Sequence, residues 1–120
     1  MAKKAILILG RKSFNIKNVE TTINNPDITC YTGTNIDDVK QTFTNLKKQD
    51  KTIEHIFIGA GLDIDKRLEI IKYIFATSEA TTVHLKDRTT GPKGMLPFVK
   101  ATLEGLEKYN MNVAMFENTA

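Results

Sequence analysis

The 120-residue chain has little or none of several features that would assign it to a class of protein. Its single cysteine, Cys30, has no internal partner for a disulfide bond, so we predict a reducing, cytoplasmic compartment. No apolar run approaches the roughly 20 residues that a membrane-spanning helix needs, which argues against a membrane partner. The chain has no basic tract and no row of aromatic residues on which bases could stack, and its net charge is only +3. Nucleic acid is therefore not an expected partner.

What the chain does have is a regular alternation of short apolar runs with segments of helical period. The predicted strands are Ala5–Leu9, Ile28–Thr32, His55–Gly59, Thr82–Leu85 and Met111–Phe116. Between them, apolar residues three and four positions apart predict four amphipathic helices, as with Ile16, Val19 and Ile23 in the first. This alternation predicts a single domain over residues 1–120, in which helices cover both faces of a parallel sheet.

The order of the strands matters for function, because ligands of such sheets bind beyond the carboxyl ends of the strands, where the order reverses. The first and third apolar runs are continuous, as expected of strands that are covered on both faces. We therefore predict a three-layer Rossmann-like or flavodoxin-like α/β fold with five parallel strands in the order 2-1-3-4-5. The turns "GRKSFN" after strand one and "GAGLD" after strand three would face the crevice.

The phosphate-binding motifs of other doubly wound families are absent from these turns. No segment fits the Walker A pattern G-x-x-x-x-G-K-[ST]. A phosphoacceptor receiver domain would need an acidic pair after strand one and an aspartate at the end of strand three. This chain has Gly10-Arg11-Lys12 and Gly59-Ala60 at those positions. The hydroxyl-rich phosphate loop of a flavodoxin would follow strand one, where only Ser13 is available.

Two segments resemble the short-chain dehydrogenase/reductase superfamily. The run "IDDVKQTFTNLKKQDKTIEHIFIGAGLD" is similar to the family's helix and following strand, which end in an Asn-Ala-Gly turn that is Gly59-Ala60-Gly61 here. The run "FVKATLEGLEKYNMNVAMFENTA" is similar to the family's active-site helix and next strand, with Lys100 at the position of the catalytic lysine. The resemblance covers Ile28–Ala120 loosely. It implies a Rossmann-like fold, NAD(P) as the cofactor and dimer contacts through helices three and four.

The chain departs from that family where the chemistry would take place. The position of the catalytic tyrosine holds Leu96, which has no proton to donate. Of the glycine-rich turn only Gly10 remains, and Phe14 and Ile16 stand where glycines would be needed. The strand that carries the acidic ribose-binding residue is also missing, and removal of one strand–helix unit gives the order 2-1-3-4-5. The resemblance therefore supports the fold and argues against dehydrogenase activity.

The candidate ligand-binding residues come from three segments at the predicted carboxyl ends of the strands. They are Gly10, Arg11, Lys12, Ser13, Gly59, Ala60, Gly61, Lys86, Arg88 and Lys93. Cations beside the start of a helix suit a phosphate or carboxylate, and the loop after strand four is longer than the usual 2–6 residues. Each segment also has an alternative without a ligand. Arg11 to Ser13 could be a solvated basic turn, Gly59 and Gly61 could serve only the turn itself, and the loop after strand four could cap the sheet.

Two residues are candidates for catalysis. Lys100 follows from the family resemblance, and His84 could act as a general base near neutral pH, with a core histidine as the alternative. We expect Asp63 and Asp65 to begin the third helix, and we expect no metal site.

From the sequence we expect a non-catalytic, homodimeric protein that binds a small anionic ligand, such as a nucleotide or phosphorylated metabolite, or acts as an interaction module. The first alternative is an NAD(P)-dependent oxidoreductase that uses Lys100, and the second is a purely structural or partner-binding protein. The residues alone leave the cofactor unknown.

Overall fold

The structure, a computed structural model, describes residues 3–119, with side chains described as far as Met115. Within this range the chain has four strands, four α-helices and one short 3₁₀ turn. The strands are β1 (Lys4–Leu9), β2 (Ile28–Gly33), β3 (His55–Ile58) and β4 (Thr82–Leu85). The helices are α1 (Ile16–Ile23), α2 (Ile36–Lys47), α3 (Ile64–Thr77) and α4 (Met95–Thr119), and the 3₁₀ turn is Pro92–Gly94.

The four strands form a parallel sheet in the order β2-β1-β3-β4. Leu9 at the end of β1 lies opposite Gly33 of β2 and opposite Ile58 of β3, and Ile58 lies opposite Leu85 of β4. The carboxyl ends of all four strands therefore meet at one edge of the sheet. The predicted α/β class and parallel sheet are confirmed.

The predicted fifth strand is wrong, and with it the five-stranded order 2-1-3-4-5. Residues Met111–Phe116 belong to α4, which continues unbroken from Met95 to Thr119. No Gly or Pro stands between Leu106 and Met115 to end the helix, and Leu, Glu, Lys, Met and Ala are strong helix formers. Met111 and Met115 are also four residues apart, which fits a helix as well as a strand. Within residues 3–119, β4 is therefore an edge of the sheet.

Two apolar clusters hold the helices against opposite faces of the sheet. Successive residues of β1 point to opposite faces, so that Leu7 packs with α2 and α3 while Ile8 packs with α1 and α4. On the first face the helices contribute Val39, Phe43, Leu46, Ile70 and Ile74, and on the second face Val19, Ile23, Met95 and Val99. The result is three layers, and it explains why β1 is apolar without interruption.

Helix α4 is longer than the sheet that it covers. Its 25 residues span about 37 Å at 1.5 Å per residue, and the side chains of Tyr109, Met111 and Met115 in its second half are exposed. Across the described residues, no helix combines the length and the hydropathy that crossing a membrane would require.

Candidate functional site

A cleft of about 850 Å³ lies at the carboxyl ends of β1, β3 and β4. The β1–α1 turn forms one wall, the β3–α3 turn forms the floor, and the loop between β4 and α4 forms the opposite wall. Its lining residues are Gly10, Arg11, Lys12, Ser13, Phe14, Gly59, Ala60, Gly61, Asp63, Lys86, Asp87, Arg88, Gly91, Pro92 and Met95. Because β1 has β2 on one side and β3 on the other, this is the position at which the strand order reverses.

Nine of the ten ligand-binding residues that the sequence predicts line this one cleft. They come from positions more than 70 residues apart in the sequence, and the parallel sheet brings them together. The exception is Lys93, which is exposed in the 3₁₀ turn, although its neighbours Gly91 and Pro92 do line the cleft.

Lys86 is a buried cation in the wall of the cleft. Its side chain is only 10% exposed, and its Nζ donates hydrogen bonds to Asp87 Oδ1 at 2.6 Å and to the Asp87 carbonyl oxygen at 3.1 Å. The Nζ also lies 5.8 Å from the centroid of the Phe98 ring, within the range of a cation–π interaction. These contacts hold the ammonium group in one place before any ligand arrives.

Asp87 is the fixed counter-charge of Lys86. The hydrogen bond from Lys86, followed by those from the Thr89 side chain and backbone N–H, lowers the pKa of Asp87 to about 2. Hydrogen bonds donated to a carboxylate favour its charged form. Asp87 is therefore ionised throughout the neutral range, and its exposed carboxylate lies at the mouth of the cleft beside Arg88.

Four cations and two carboxylates line the cleft. The cations are Arg11, Lys12, Lys86 and Arg88, and the carboxylates are Asp63 and Asp87, which leaves a charge of +2. Asp63 stands at the N-cap position of α3, but its side chain makes no capping hydrogen bond, so its predicted capping role is not realised. The cleft is positively charged with basic groups on two of its walls.

The glycines of the floor allow two turns to approach each other closely. A Cβ atom at Gly61 would lie 3.1 Å from Cβ of Arg11, and one at Gly59 would lie 3.1 Å from the carbonyl oxygen of Leu9. Both distances are shorter than ordinary carbon contacts, so larger residues would push the β3–α3 turn away from β1. The packing of the two turns thus accounts for these glycines, and they position Arg11 above the floor.

His84 and Lys100, the two residues predicted for catalysis, lie outside the cleft. Lys100 is exposed on α4 and borders a second cavity of about 340 Å³, together with Lys4 and His55 at the amino ends of β1 and β3. Helix α4 begins at the cleft with Met95 and runs back across the sheet, so Lys100, five residues later, lies about 7.5 Å further along the helix axis. Leu96 packs into the apolar cluster between α1, α4 and the sheet.

His84 forms a pair with His55 on the face of the sheet that α4 covers. Nε2 of His84 lies 3.3 Å from Nδ1 of His55, and its ring stacks on Phe57 with 4.7 Å between centroids. Burial lowers the pKa of both histidines, and nearby positive charge, from Lys4 on His55 and from His55 on His84, lowers it further. This geometry matches the core-histidine alternative.

No protein-family model, no curated protein and no solved structure matches this chain. The chemistry of the cleft must therefore be argued from its own residues.

Sequence reasoning missed several residues of the cleft and of its surroundings. Asp87 is absent from the predicted residues although it fixes Lys86, and the adjacent Lys-Asp pair is a usable signal in the sequence. Met95 was not expected at the cleft, because its place depends on how α4 begins after the long loop. Among the described residues, no cluster of three or more His, Cys, Asp or Glu side chains forms a potential metal site.

Proposed function

We propose that this protein binds a small anionic ligand, such as a nucleotide or a phosphorylated metabolite, in the cleft at the carboxyl ends of β1, β3 and β4. The observation that carries the proposal is the convergence of four cations on one cleft, one of them buried and held in place. Lys86 supplies a fixed positive charge in a partly desolvated wall, where a charge interacts more strongly than in water.

The exposed cations complete the site from the other walls. Arg11 stands above the glycine floor, and Arg88 follows Lys86 and Asp87 in the loop opposite. Arginine presents paired N–H donors that match phosphate or carboxylate oxygens, while lysine acts as a point charge. An anion between Arg11 and Lys86 would therefore be held from two sides.

The test is a calorimetric titration of AMP and of inorganic phosphate into the wild-type protein and into the double variant Arg11→Ala/Lys12→Ala. Hydrogen bonds between charged groups contribute about 1.5–3 kcal/mol each, so we expect the variant to bind AMP at least about tenfold more weakly. The control variant is Lys48→Ala/Lys51→Ala, which removes the same charge from exposed positions in the α2–β3 connection. Equal affinities of the two double variants, or no anion binding by the wild-type protein, would contradict the proposal.

The oxidoreductase alternative receives no support from the geometry. Lys100 does not line the cleft, and Leu96 occupies the position of the family's proton donor. Titration with NADH and NADPH provides a direct check, since an enzyme of this class would change the nicotinamide fluorescence on binding.

A reducing, cytoplasmic compartment remains part of the proposal. Cys30 is half-buried in β2, where burial, followed by the negative charge of Glu20, raises the pKa of its thiol to about 11. The thiol is therefore protonated at neutral pH and behaves as a small apolar side chain.

We also propose that the chain forms a homodimer through the flank of α3 beside the edge strand β4. Ile64, Leu68 and Phe75 are 64%, 57% and 66% exposed, and the spacing of four and seven residues puts them on one side of the helix. Tyr73 is roughly 200° from Phe75 around the helix and packs against Phe43 of α2, so the apolar flank points away from α2. Other apolar residues of α3 and α4 are not available for this contact, since Ile70 and Met95 are buried in the core and Phe98 is half-buried against it.

Light scattering at high protein concentration tests the dimer. The variant Leu68→Glu/Phe75→Glu should be monomeric, while Gln41→Glu/Asn45→Glu, which adds the same charge to exposed positions on α2, should remain dimeric. A wild-type protein that is monomeric at every concentration would rule the dimer out.

A further inference from the structure

NAD(P), the cofactor that the family resemblance implies, does not fit the β1–α1 turn of this chain. A dinucleotide places its pyrophosphate across such a turn. Small residues there let the backbone come close to the pyrophosphate, and the first backbone N–H groups of the helix point at its oxygens. In this structure Phe14 lies against the turn: a Cβ atom at Gly10 would be 2.8 Å from Cε2 of the Phe14 ring. The ring is half-buried and packs with the apolar cluster of α1 and α4.

The amides at the start of α1 are also already in use. Oδ1 of Asn15 accepts hydrogen bonds from the backbone N–H groups of Lys17 at 2.9 Å and Asn18 at 3.3 Å. A pyrophosphate on this helix would have to displace a cap that contributes about 1 kcal/mol to the helix. The first amides of α1 are therefore not free to bind a pyrophosphate, and the Phe14 ring takes the space beside Gly10.

On the β2 side of the turn, side chains of the chain itself cover the ends of β1 and β2. Ser13 Oγ and Thr32 Oγ1 are hydrogen-bonded at 3.3 Å and join the β1–α1 turn to β2. Asp38 covers the end of β2, since a Cβ atom at Gly33 would lie 2.7 Å from Asp38 Cβ, and its Oδ2 accepts a hydrogen bond from the Thr34 N–H at 2.8 Å. A third cavity, of about 550 Å³, lies beside these contacts and is lined in part by Arg11, Thr34 and Lys66. The second nucleotide of a dinucleotide would have to cross the β1–α1 turn, where Phe14 stands, to reach it.

The other side of the cleft is open and carries the buried cation. Gly61, Lys86 and Arg88 line the space beyond β3 and β4. We infer that Phe14 restricts the cleft to one compact anion, a mononucleotide or a smaller phosphate ester bound beside β3 and β4, and that it excludes a dinucleotide from the β1–α1 turn. This inference rests on the proposed function and makes Phe14 a residue that determines specificity.

The experiment compares AMP with NADH by calorimetric titration into the wild-type protein, Phe14→Ala and Phe14→Leu. In the wild-type protein NADH should bind no more tightly than AMP, because Phe14 keeps its pyrophosphate from crossing the β1–α1 turn. Phe14→Ala opens the turn and should raise the affinity for NADH relative to AMP by about threefold or more. Phe14→Leu keeps most of the side-chain volume and should behave as the wild-type protein does.

Amide chemical shifts of the wild-type protein provide a measurement that needs no variant to fold. AMP should shift the amide resonances of Gly61, Lys86 and Arg88 and leave those of Thr32 and Thr34 unchanged. NADH binding at least tenfold more tightly than AMP, or AMP shifts centred on Thr32, would overturn the inference while leaving the anion site itself in place. If neither AMP nor inorganic phosphate binds, the proposed function fails and this inference fails with it.

Discussion

The two ends of the sheet carry similar residue types in different arrangements. At the carboxyl ends, Arg11, Lys86 and Arg88 come from separate loops and meet at one cleft. At the amino ends, Lys4 and Lys100 share their cavity with carboxylates, among them Glu104, which lies four residues after Lys100 on α4. A cation with a carboxylate on the same helix face is typical of a solvated surface. Cations from distant loops, in contrast, come close to one another only because the fold brings those loops together.

The difference between the two ends is also one of burial. Lys86 is enclosed by Phe98 and Asp87, while Lys100 is exposed. Long side chains that stay in water lose conformational freedom when they bind an anion, and a side chain that is already held loses less. This difference favours the carboxyl end of the sheet as the place for the proposed anion binding, although both ends have a cavity and both have lysines.

The largest effect is expected from removing the buried cation. Lys86→Met keeps most of the length of the side chain and removes its charge, and it should weaken the binding of AMP at least about tenfold, since a hydrogen bond to a charged group contributes about 1.5–3 kcal/mol. Lys100→Met at the other end should leave the affinity unchanged. Calorimetric titration of both variants measures the contrast, and an equal loss in both would show that only the overall charge attracts the ligand.

Most of the fold follows from the sequence, because apolar period and strand alternation are local signals. The wrong prediction of a strand at Met111–Phe116 has a physical cause. Its short run of alternating Met and Val fits the period of a strand and also that of a helix, and only the unbroken continuation of α4 decides between the two. The cleft was predictable to the extent that the carboxyl ends of parallel strands always share an edge. The burial of Lys86 and the placement of Phe14 were not, since each depends on contacts between residues that are distant in the sequence.

The pair of His55 and His84 gives the stability of the fold a pH dependence. Burial lowers the pKa of His55 and His84 in the folded protein, so the unfolded chain takes up protons more readily as the pH falls below about 6.5. The free energy of unfolding should therefore decrease between pH 7.5 and pH 5. Urea unfolding measures it, and His55→Gln/His84→Gln should reduce the slope. A wild-type protein more stable at pH 5 than at pH 7.5 would contradict the sign.

The smallest effect is expected from Asp87, the carboxylate that faces both Lys86 and the cleft. Asp87→Asn removes a negative charge from the mouth of the site and should strengthen AMP binding about twofold to threefold, an effect typical of an exposed charge. Because the pKa of Asp87 is held at about 2, the carboxylate is ionised at every pH above about 4. The gain should therefore be the same at pH 7.5 and pH 8.5, where the AMP phosphate, with a second pKa of about 6, is also fully ionised. The control is Asp65→Asn in the first turn of α3, which changes the same charge outside the cleft and should leave the affinity as it is. Weaker binding by Asp87→Asn would mean that fixing the Lys86 ammonium group matters more than the repulsion Asp87 exerts on the ligand. The buried cation would then act only as part of its pair with Asp87.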